Sequence, residues 1–287
     1  MIEVIRPGAL LTVQDLGRPG YAHLGVPRSG AADRMSLRRA NQLVGNDAAA
    51  AGLEISLGRV EFRFGADAVI AVTGAPLGLQ LDGRPAAFDA QLQVAAGQRL
   101  CCAAPEMGLR SYLAVAGGLD VPAVMGSRAS DLLSALGPAP LRQGDVLAIG
   151  SARGWPASAE PAVIIAPHPL LEFHPGPRAD CFDGDALRQL CAAEYEVGPD
   201  SNRVGLRLTG VALRSRLTGE LPSEGIAHGA IQVPANGQPL IFLADHPTTG
   251  GYPCIGVLRP ESLARAAQLR PGDRLSFAML SAGDCQP

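Results

Sequence analysis

Glycine and proline are spread evenly along this chain and divide it into short segments. The 287 residues include 35 Gly and 24 Pro. Apolar runs of β type lie between them and end at turn sequences such as Asp82-Gly83 and Asn236-Gly237. Many short strands with frequent Gly and Pro turns are typical of barrels and sandwiches. We therefore expect a mainly β chain with a few short helices.

The strongest strand and helix signals can be placed by residue. One helix is expected at about 31–44, with Ser29 as its N-cap and Gly45 at its end. A second is expected at about 260–268, with Pro in its first turn, and a shorter one between 184 and 191. The N-terminal residues predict a strand that begins at once. Further strands are predicted at 59–64, 68–72, 77–81, 98–102, 111–115, 145–149, 162–166, 205–208, 229–233, 240–243 and 274–277.

The chain is long enough for two modules. Hydrophobic residues make up 47% and charged residues 18%, which supports a buried core. A small, polar segment at about 150–161 lacks strand alternation and suggests a boundary. Similar Gly-Asp sequences close both halves, at 144–147 and 272–275. We expect one β module at 1–155 and a second at 156–287.

All 24 positively charged residues are Arg, and the chain has no Lys. A Walker P-loop and a protein kinase each need a Lys on the nucleotide phosphates, and pyridoxal-phosphate or Schiff-base chemistry needs a Lys amine. Covalent biotin attachment also needs a Lys, so none of these sites fits in this chain. A bound carboxylate or ATP would have to use Arg, backbone amides or a partner's residues. The net charge of -3 argues against nucleic acid as the main partner.

The six cysteines are expected to be buried free thiols, because they lie mostly in apolar stretches of a chain with no export signal. No C-x-x-C pair and no zinc-type His spacing occurs, so we assign no metal. No apolar run approaches the roughly 18 to 20 residues of a membrane-spanning helix. The N-terminus lacks the features of a signal peptide. The expected location is the cytoplasm, with no membrane partner.

A Gly-rich loop at 12–33 leads into the first predicted helix. Loop amides and a helix N-terminus favour an anion, and Arg18 and Arg28 could fork onto a carboxylate or phosphate. Alternatively, Asp15 and Arg18 pair to hold the turn, and the glycines only supply unusual backbone angles. Both interpretations stay open.

Two middle segments carry further polar motifs. The segment 108–131 contains the Gly117-Gly118 pair, which allows close backbone approach and favours a structural role. At 200–208, three polar residues stand at a strand entry and either cap a turn or present donors to a ligand. These three are Ser201, Asn202 and Arg203.

The segment 220–253 is the richest in candidate ligand groups. Two threonines, two glycines and a tyrosine follow Asp245 and His246 within one loop, at 248–252. Hydroxyls and exposed amides could bind a carboxylate, an amide oxygen or a phosphate, unless they only cap a structured turn. Asp245 and His246 would point to opposite faces of a strand, so they do not form a ready-made catalytic pair. A G-x-S-x-G elbow and a G-x-G-x-x-G dinucleotide motif are both missing from the sequence.

Together these segments resemble the biotin-dependent carboxyltransferase-like family, formerly labelled allophanate hydrolase subunit 2. Its members include the C subunit of 5-oxoprolinase, the Kip-type sporulation antagonist and the second half of the urea carboxylase carboxyltransferase domain. The matching motifs run in order over nearly the whole chain. They are residues 12–33, 110–128, 201–210, 223–234 and 245–253.

The resemblance implies two cyclophilin-like β-barrel modules and a heteromeric enzyme. The C subunit of 5-oxoprolinase is taken to act with the A and B subunits, using ATP with Mg to convert 5-oxo-L-proline to L-glutamate. A five-membered lactam is a poor electrophile, and phosphorylating its amide oxygen lets water attack the carbon. Such a step needs stabilisation of oxyanion and phosphate charge. We expect a cyclic-amide hydrolase whose ATP site is shared with the partner subunit.

Site residues follow from motif position within the resemblance. Arginines would supply positive charge, and the Thr-Thr-Gly-Gly sequence would supply hydrogen-bond donors. Gln232 and Tyr252 would orient the substrate. The expected catalytic residues are Arg28, Asp245, Thr249 and Tyr252. The expected substrate- or ATP-binding residues are Arg18, Arg203, Gln232, Thr248, Gly250 and Gly251.

Two departures from the family pattern leave the substrate open. Ala129-Ser130 stands where many relatives have Ser-Thr, and His246 stands where Gln is common. One alternative function is a carboxyltransferase acting on urea or a similar amide, with carboxybiotin from a separate carrier. The other is a non-enzymatic regulatory partner that antagonises a kinase inhibitor homologous to the B subunit.

Overall fold

The computed structural model describes residues 1–152, 159–217, 219 and 221–280. The chain divides into two compact units. Unit 1 is Met1–Pro19 with Ser29–Ile165, and unit 2 is Gly20–Arg28 with Ala166–Pro287. The boundary predicted between residues 155 and 156 lies outside the described residues, so it stays a prediction.

Unit 1 contains one α-helix and short strands. The helix is α1, Arg34–Leu43. The strands are β1 Ile2–Arg6, β2 Leu10–Gln14, β3 Gly52–Ser56, β4 Val60–Phe64, β5 Ala68–Gly74, β6 Leu79–Leu81, β7 Arg84–Ala86, β8 Gln91–Val94, β9 Arg99–Cys102, β10 Arg110–Val115 and β11 Val146–Leu147.

These strands form two sheets around one core. One sheet has the order β11-β1-β4-β9-β6-β7 and the other β2-β3-β10-β5-β8. The neighbouring strands pair antiparallel, and β6 and β7 do so across the tight turn at Asp82-Gly83. The core takes side chains from both sheets, among them Val4 and Phe62 of the first and Leu53 and Val72 of the second.

The helix α1 makes a third layer on the second sheet. Strand β10 is buried along its whole length. Its side chains point alternately to opposite faces of the sheet. Leu113 and Val115 lie in the core between the two sheets, whereas Tyr112 and Ala114 pack against α1 residues such as Leu37. This arrangement brings the loop before α1 close to the polar end of β10.

The described residues of unit 2 contain two short α-helices, two 3-10 turns at Ala22–Leu24 and Ala179–Cys181, and a set of strands. The helices are α2 Ala186–Ala192 and α3 Pro260–Ala266. The strands are β12 Leu170–Pro175, β13 Glu194–Val197, β14 Gly205–Thr209, β15 Glu224–Gly225, β16 Ala230–Gln232, β17 Leu240–Phe242, β18 Thr249–Gly250, β19 Cys254–Leu258 and β20 Arg274–Met279.

Most strands of unit 2 close into a barrel in the order β12-β19-β16-β17-β14-β13-β20. The barrel closes through the parallel pairing of β12 with β20, in which Leu171 lies opposite Phe277. Aromatic side chains fill its core: Phe277 makes edge-to-face contacts with Phe173 and Tyr195, at centroid distances of 6.0 Å and 5.8 Å. Side chains of α2 and α3, such as Leu190 and Ala266, belong to the same core.

Strands β15 and β18 form a separate two-stranded ribbon. Glu224 pairs with Gly250, and Gly225 pairs with Thr249. The amide of Ile226 also donates to the Thr248 carbonyl at 2.9 Å. We refer to residues 224–226 and 248–250 as the ribbon.

The prediction of a mainly β chain with a few short helices is confirmed. The first helix starts later than expected, because Ser29 has a φ of 53° and does not adopt the extended backbone of an N-cap. Asp33 is the N-cap instead, and its side chain accepts a bond from the Ser36 amide. The run 162–166 forms no strand, whereas β3, β7, β8, β12, β13, β15, β18 and β19 were not predicted. Among the described residues, no helix has the length and apolarity needed to cross a membrane.

Candidate functional site

In unit 1, Asp15 joins the Gly-rich loop to the loop at 126–131. Its Oδ1 accepts hydrogen bonds from the Gly17 amide and the Ser127 hydroxyl, both at 2.7 Å. Its Oδ2 accepts from the Arg128 amide at 2.6 Å. These three donors engage both carboxylate oxygens, so Asp15 holds the two loops together.

Arg18 is sealed inside unit 1. Only 1% of the residue is exposed. Its Nη2 donates to the Ala129 carbonyl, and its Nη1 lies 3.8 Å from Oδ2 of Asp131. The ion pair considered with Asp15 is therefore made with Asp131 instead. A ligand role for Arg18 requires this loop to open.

The N-terminus of α1 is satisfied by carboxylates of the chain itself. Glu54 Oε2 accepts from the Ala32 amide at 2.9 Å and from the Tyr112 hydroxyl at 2.8 Å. The side chain of Asp33 accepts from the Ser36 amide at 3.0 Å. Burial, with the nearby Glu54 charge, raises the pKa of Tyr112 well above its usual value. The chain's own carboxylates therefore accept from the amides that an external anion could have bound at this helix end.

Two other segments of the first half can be placed. A Cβ at Gly117 would lie 2.2 Å from the Gly150 carbonyl oxygen, so Gly117 permits the close backbone approach that the sequence suggested. Arg28, an expected catalytic residue, lies at the surface and belongs to unit 2. Its role stays a prediction.

In unit 2, Arg203 and Asp245 meet in a buried ion pair. The pairing of β14 with β17 places the residues before Gly205 beside those after Phe242, and the Asp245 amide donates to the Arg203 carbonyl at 3.0 Å. Arg203 Nε and Nη2 then donate to the two oxygens of Asp245, at 2.9 Å and 3.1 Å. Two expected site residues are thus brought together as one neutral, rigid unit.

His246 follows this pair and is also buried. Its Nδ1 donates to the Pro247 carbonyl at 2.8 Å, which places a proton on Nδ1 because a carbonyl oxygen only accepts. Its ring stacks on His228 with centroids 5.9 Å apart and contacts Phe242 edge-on at 6.1 Å. Neither histidine was among the expected site residues, and His228 carried no motif signal of its own.

The loop at 248–252 and Gln232 lie at the ribbon. Thr249 and Gly251 are exposed, and 52% of Tyr252 is exposed. Gln232, on β16, is buried, and its Oε1 has no hydrogen-bond donor among the described residues. A Cβ at Gly250 would lie 3.6 Å from that oxygen. The hydroxyls thus face solvent, while the amide lies beneath the ribbon.

The ribbon is tied to unit 2 by an ion pair that the sequence did not reveal. Arg178 Nε donates to both oxygens of Glu224, at 3.0 Å and 3.1 Å. This hydrogen-bonded pairing lowers the pKa of Glu224 and raises the pKa of Arg178. The partners are 46 residues apart, so no local motif could have indicated the contact.

The expected site residues therefore fall into two groups. Arg18 belongs to unit 1, and the other nine belong to unit 2. Within unit 2 the structure combines a neutralised Arg–Asp pair, a side-chain amide and exposed hydroxyls. Such a set suits the orientation of a small polar molecule by hydrogen bonds more than the neutralisation of a multiply charged one.

Comparison with known proteins gives a consistent match. The carboxyltransferase domain family, subdomain A and B, matches residues 24–279. The chain is 39% identical to the 5-oxoprolinase C subunit of Escherichia coli over 284 residues, covering 98% of this chain and 92% of that protein. It is 33% identical to the 5-oxoprolinase C subunit of Haemophilus influenzae, covering 98% of this chain and 92% of the relative.

A solved structure shows the same fold. The crystal structure of the Kluyveromyces lactis urea amidolyase superposes with a TM-score of 0.91 at 30% identity. The match covers 98% of this chain and 19% of the urea amidolyase chain. The fold of this chain therefore also occurs as one part of a much longer enzyme.

Proposed function

This chain belongs to the carboxyltransferase domain family, subdomain A and B, and from that membership we propose that it is the C subunit of an ATP-dependent 5-oxoprolinase. It would act with the A and B subunits to convert 5-oxo-L-proline to L-glutamate. The observation that carries the proposal is the 39% identity to a 5-oxoprolinase C subunit over 98% of the chain.

The reaction needs an activated lactam. Transfer of the ATP γ-phosphoryl group to the lactam oxygen would release ADP and make the ring carbon electrophilic. Water then adds to that carbon, the C–N bond breaks, and a second water releases phosphate from the resulting acyl phosphate. Lactam orientation and the stabilisation of developing oxygen charge are the tasks that hydroxyls, amides and a fixed Arg–Asp pair can perform.

We assign most of the ATP and Mg site to a partner subunit. The buried guanidinium groups of Arg18 and Arg203 each lie beside a carboxylate, Asp131 and Asp245 respectively. They are therefore poorly suited to phosphate charge. In this proposal, unit 2 binds the lactam, and exposed Arg28 reaches towards the phosphates.

Reconstitution tests the proposal. Mixed with the A and B subunits, the chain should support ATP hydrolysis that depends on 5-oxoproline, and alone it should be nearly inert. Release of phosphate and glutamate is the measurement. A complex that assembles without lactam-dependent turnover would contradict the proposal and favour the regulatory alternative.

Two exposed residues are the first to substitute. Thr249→Val and Arg28→Gln should each reduce turnover of the complex with little change in thermal unfolding, because both side chains lie at the surface. The matched controls are Thr209→Val, at an exposed strand end, and Arg188→Gln, on exposed α2. If the site variants and their controls behave alike, neither residue belongs to the site.

A second candidate function is carboxyl transfer to urea or a related amide. The structural match to urea amidolyase favours it. Since this chain lacks Lys, the carboxybiotin would have to come from a separate carrier. Streptavidin blotting of the co-purified complex distinguishes the two: a biotinylated partner supports carboxyl transfer, and ATP turnover without one supports 5-oxoprolinase.

A further inference from the structure

Gln232 carries a polar atom that the fold leaves unpaired. The residue lies on β16 and is only 5% exposed. Its Oε1 accepts no hydrogen bond from any described residue. Buried side-chain amides are normally paired, and an unpaired amide oxygen costs free energy. The oxygen is therefore available to an N–H donor from outside the chain.

The ribbon covers this oxygen with its smallest residue. A Cβ added to Gly250 would lie 3.6 Å from Gln232 Oε1 and 2.8 Å from Cδ1 of Ile226. Glycine thus keeps the space beside the amide clear. A larger residue at position 250 would occupy that space.

The ribbon that covers Gln232 is small and weakly held. Its strands β15 and β18 contain two residues each, and a two-stranded ribbon of this size is marginally stable in water. The Ile226–Thr248 backbone bond joins its two segments to each other, and the surface Arg178–Glu224 ion pair links it to the rest of unit 2. Local opening of such an element requires far less free energy than global unfolding of the chain.

We infer that Gln232 recognises a substrate amide whose N–H lies cis to its own carbonyl, admitted when the ribbon opens. The inference rests on the proposed function, because it names the substrate group that is recognised at the same site. Oε1 accepts the N–H, and the side-chain NH₂ donates to the substrate carbonyl, giving two parallel hydrogen bonds. A five-membered lactam always presents this cis edge, and urea presents it as well. An ordinary trans peptide does not.

Ligand binding tests the pairing directly. The complex of this chain with its partner subunits is titrated, without ATP, with pyrrolidin-2-one, N-methylpyrrolidin-2-one, 5-oxo-L-proline and urea, by ligand-detected NMR. The N-methyl lactam keeps the carbonyl but has no N–H. Pyrrolidin-2-one should bind about tenfold more tightly than its N-methyl analogue, the effect of one lost hydrogen bond. Comparing the affinities for the lactams and for urea shows which of the two kinds of cis amide the complex prefers.

Substitution of the amide gives the second arm. Gln232→Met conserves volume and removes both hydrogen bonds, so it should abolish the preference for the N–H lactam. Gly250→Ala keeps the amide and fills the space beside it, and it should also weaken pyrrolidin-2-one binding. Gln268→Met is the matched control, since Gln268 is a buried Gln of the same unit, beyond the end of α3. Thermal unfolding shows that each variant is folded.

The outcomes separate this inference from the proposed function. Equal affinity for the two lactams, a preference that survives in Gln232→Met, or no binding of lactam or urea to the wild-type complex would each overturn the inference. ATP turnover by the wild-type complex with 5-oxoproline reports on the function alone. Turnover without any dependence on Gln232 would leave the function standing and the inference refuted.

Discussion

Arg203 and Asp245 form a two-point ion pair that solvent does not reach. Their side chains are 3% and 0% exposed. Desolvation offsets much of the attraction in such a pair, so its main effect is to hold the two chain segments in one geometry. Removing one partner lowers the free energy of unfolding strongly, because the other charge then stays buried without a counter-charge.

We expect Asp245→Asn to lower the free energy of unfolding by about 3 kcal/mol, because it leaves the Arg203 guanidinium buried without its counter-charge. Denaturant unfolding of the full chain is the measurement. The control is Asp183→Asn, which breaks the exposed ion pair with Arg216 and should cost less than about 1 kcal/mol. Equal costs would show that the buried pair contributes no more than a surface one.

For individual residues, the sequence indicated which side chains belong to the candidate site but not which side chains they contact. Arg203 is recognisable as a charge at a strand entry, but its partner Asp245 lies 42 residues further on. The same holds for Arg178 and Glu224, which are 46 residues apart. Only the tertiary fold brings such partners together, and no local sequence pattern encodes it.

At the scale of elements, β12 shows how a strand sorts its side chains. Leu171 is fully buried in the barrel core, while its neighbour Leu170 is 51% exposed. Successive side chains of a strand point to opposite faces, so one sequence step separates core from surface. This strand escaped prediction because it is short and lies between prolines, with Pro167 and Pro169 before it and Pro175 as its last residue.

Leu171→Ala should therefore lower the free energy of unfolding by about 2–5 kcal/mol, through lost burial and a cavity. Leu170→Ala, on the outer face of the same strand, should change it by no more than about 0.5 kcal/mol. Urea unfolding of the two variants is the comparison. Similar losses would mean that β12 does not present these faces as described.

The ribbon should respond to acid. Its Arg178–Glu224 pair lowers the pKa of Glu224 in the folded state. A depressed carboxyl pKa stabilises the paired form above the unfolded value of 4.5, and this contribution is lost as the pH falls through the lower folded value. Ribbon opening should therefore increase below about pH 4.5.

Amide hydrogen exchange at Ile226, whose N–H is bonded to Thr248, measures that opening. At neutral pH, Glu224→Gln should accelerate exchange at Ile226 relative to wild type, and on acidification its excess over wild type should shrink. Unchanged protection in Glu224→Gln would show that the ion pair does not hold the ribbon.

For the molecule as a whole, sequence periodicity was enough to give a mainly β chain with short helices. The evenly spaced turns mark where strands end, and apolar runs mark where they lie. Sequence periodicity could not predict which distant segments of the chain pair or pack with each other. Gly20–Arg28 groups with unit 2 although it lies within the first half of the sequence. The parallel closure of β12 against β20 likewise depends on pairing across a hundred residues.

The whole chain should lose stability at high pH. Burial raises the pKa of Cys102 to about 12 and that of Tyr195 to about 12, and it raises the pKa of Tyr112 well above its usual value. These groups stay neutral when folded and ionise near 9 and 10 when unfolded. Because each folded pKa is raised, their contribution is complete below the unfolded values and declines as pH rises towards 12.

The denaturant midpoint, measured across the alkaline range, should fall over this window. Tyrosinate absorbance provides the control: the fully buried Tyr112 should ionise only as the protein unfolds. A midpoint that is constant up to pH 12 would contradict the burial of these groups.

In the barrel of unit 2, each strand is hydrogen-bonded on both sides through the β12–β20 closure. The barrel consequently offers no vacant backbone row for an incoming polypeptide to extend. A companion protein that docks on the barrel would therefore have to recognise side chains, so the specificity for a companion can change through a few surface substitutions while the barrel stays unchanged.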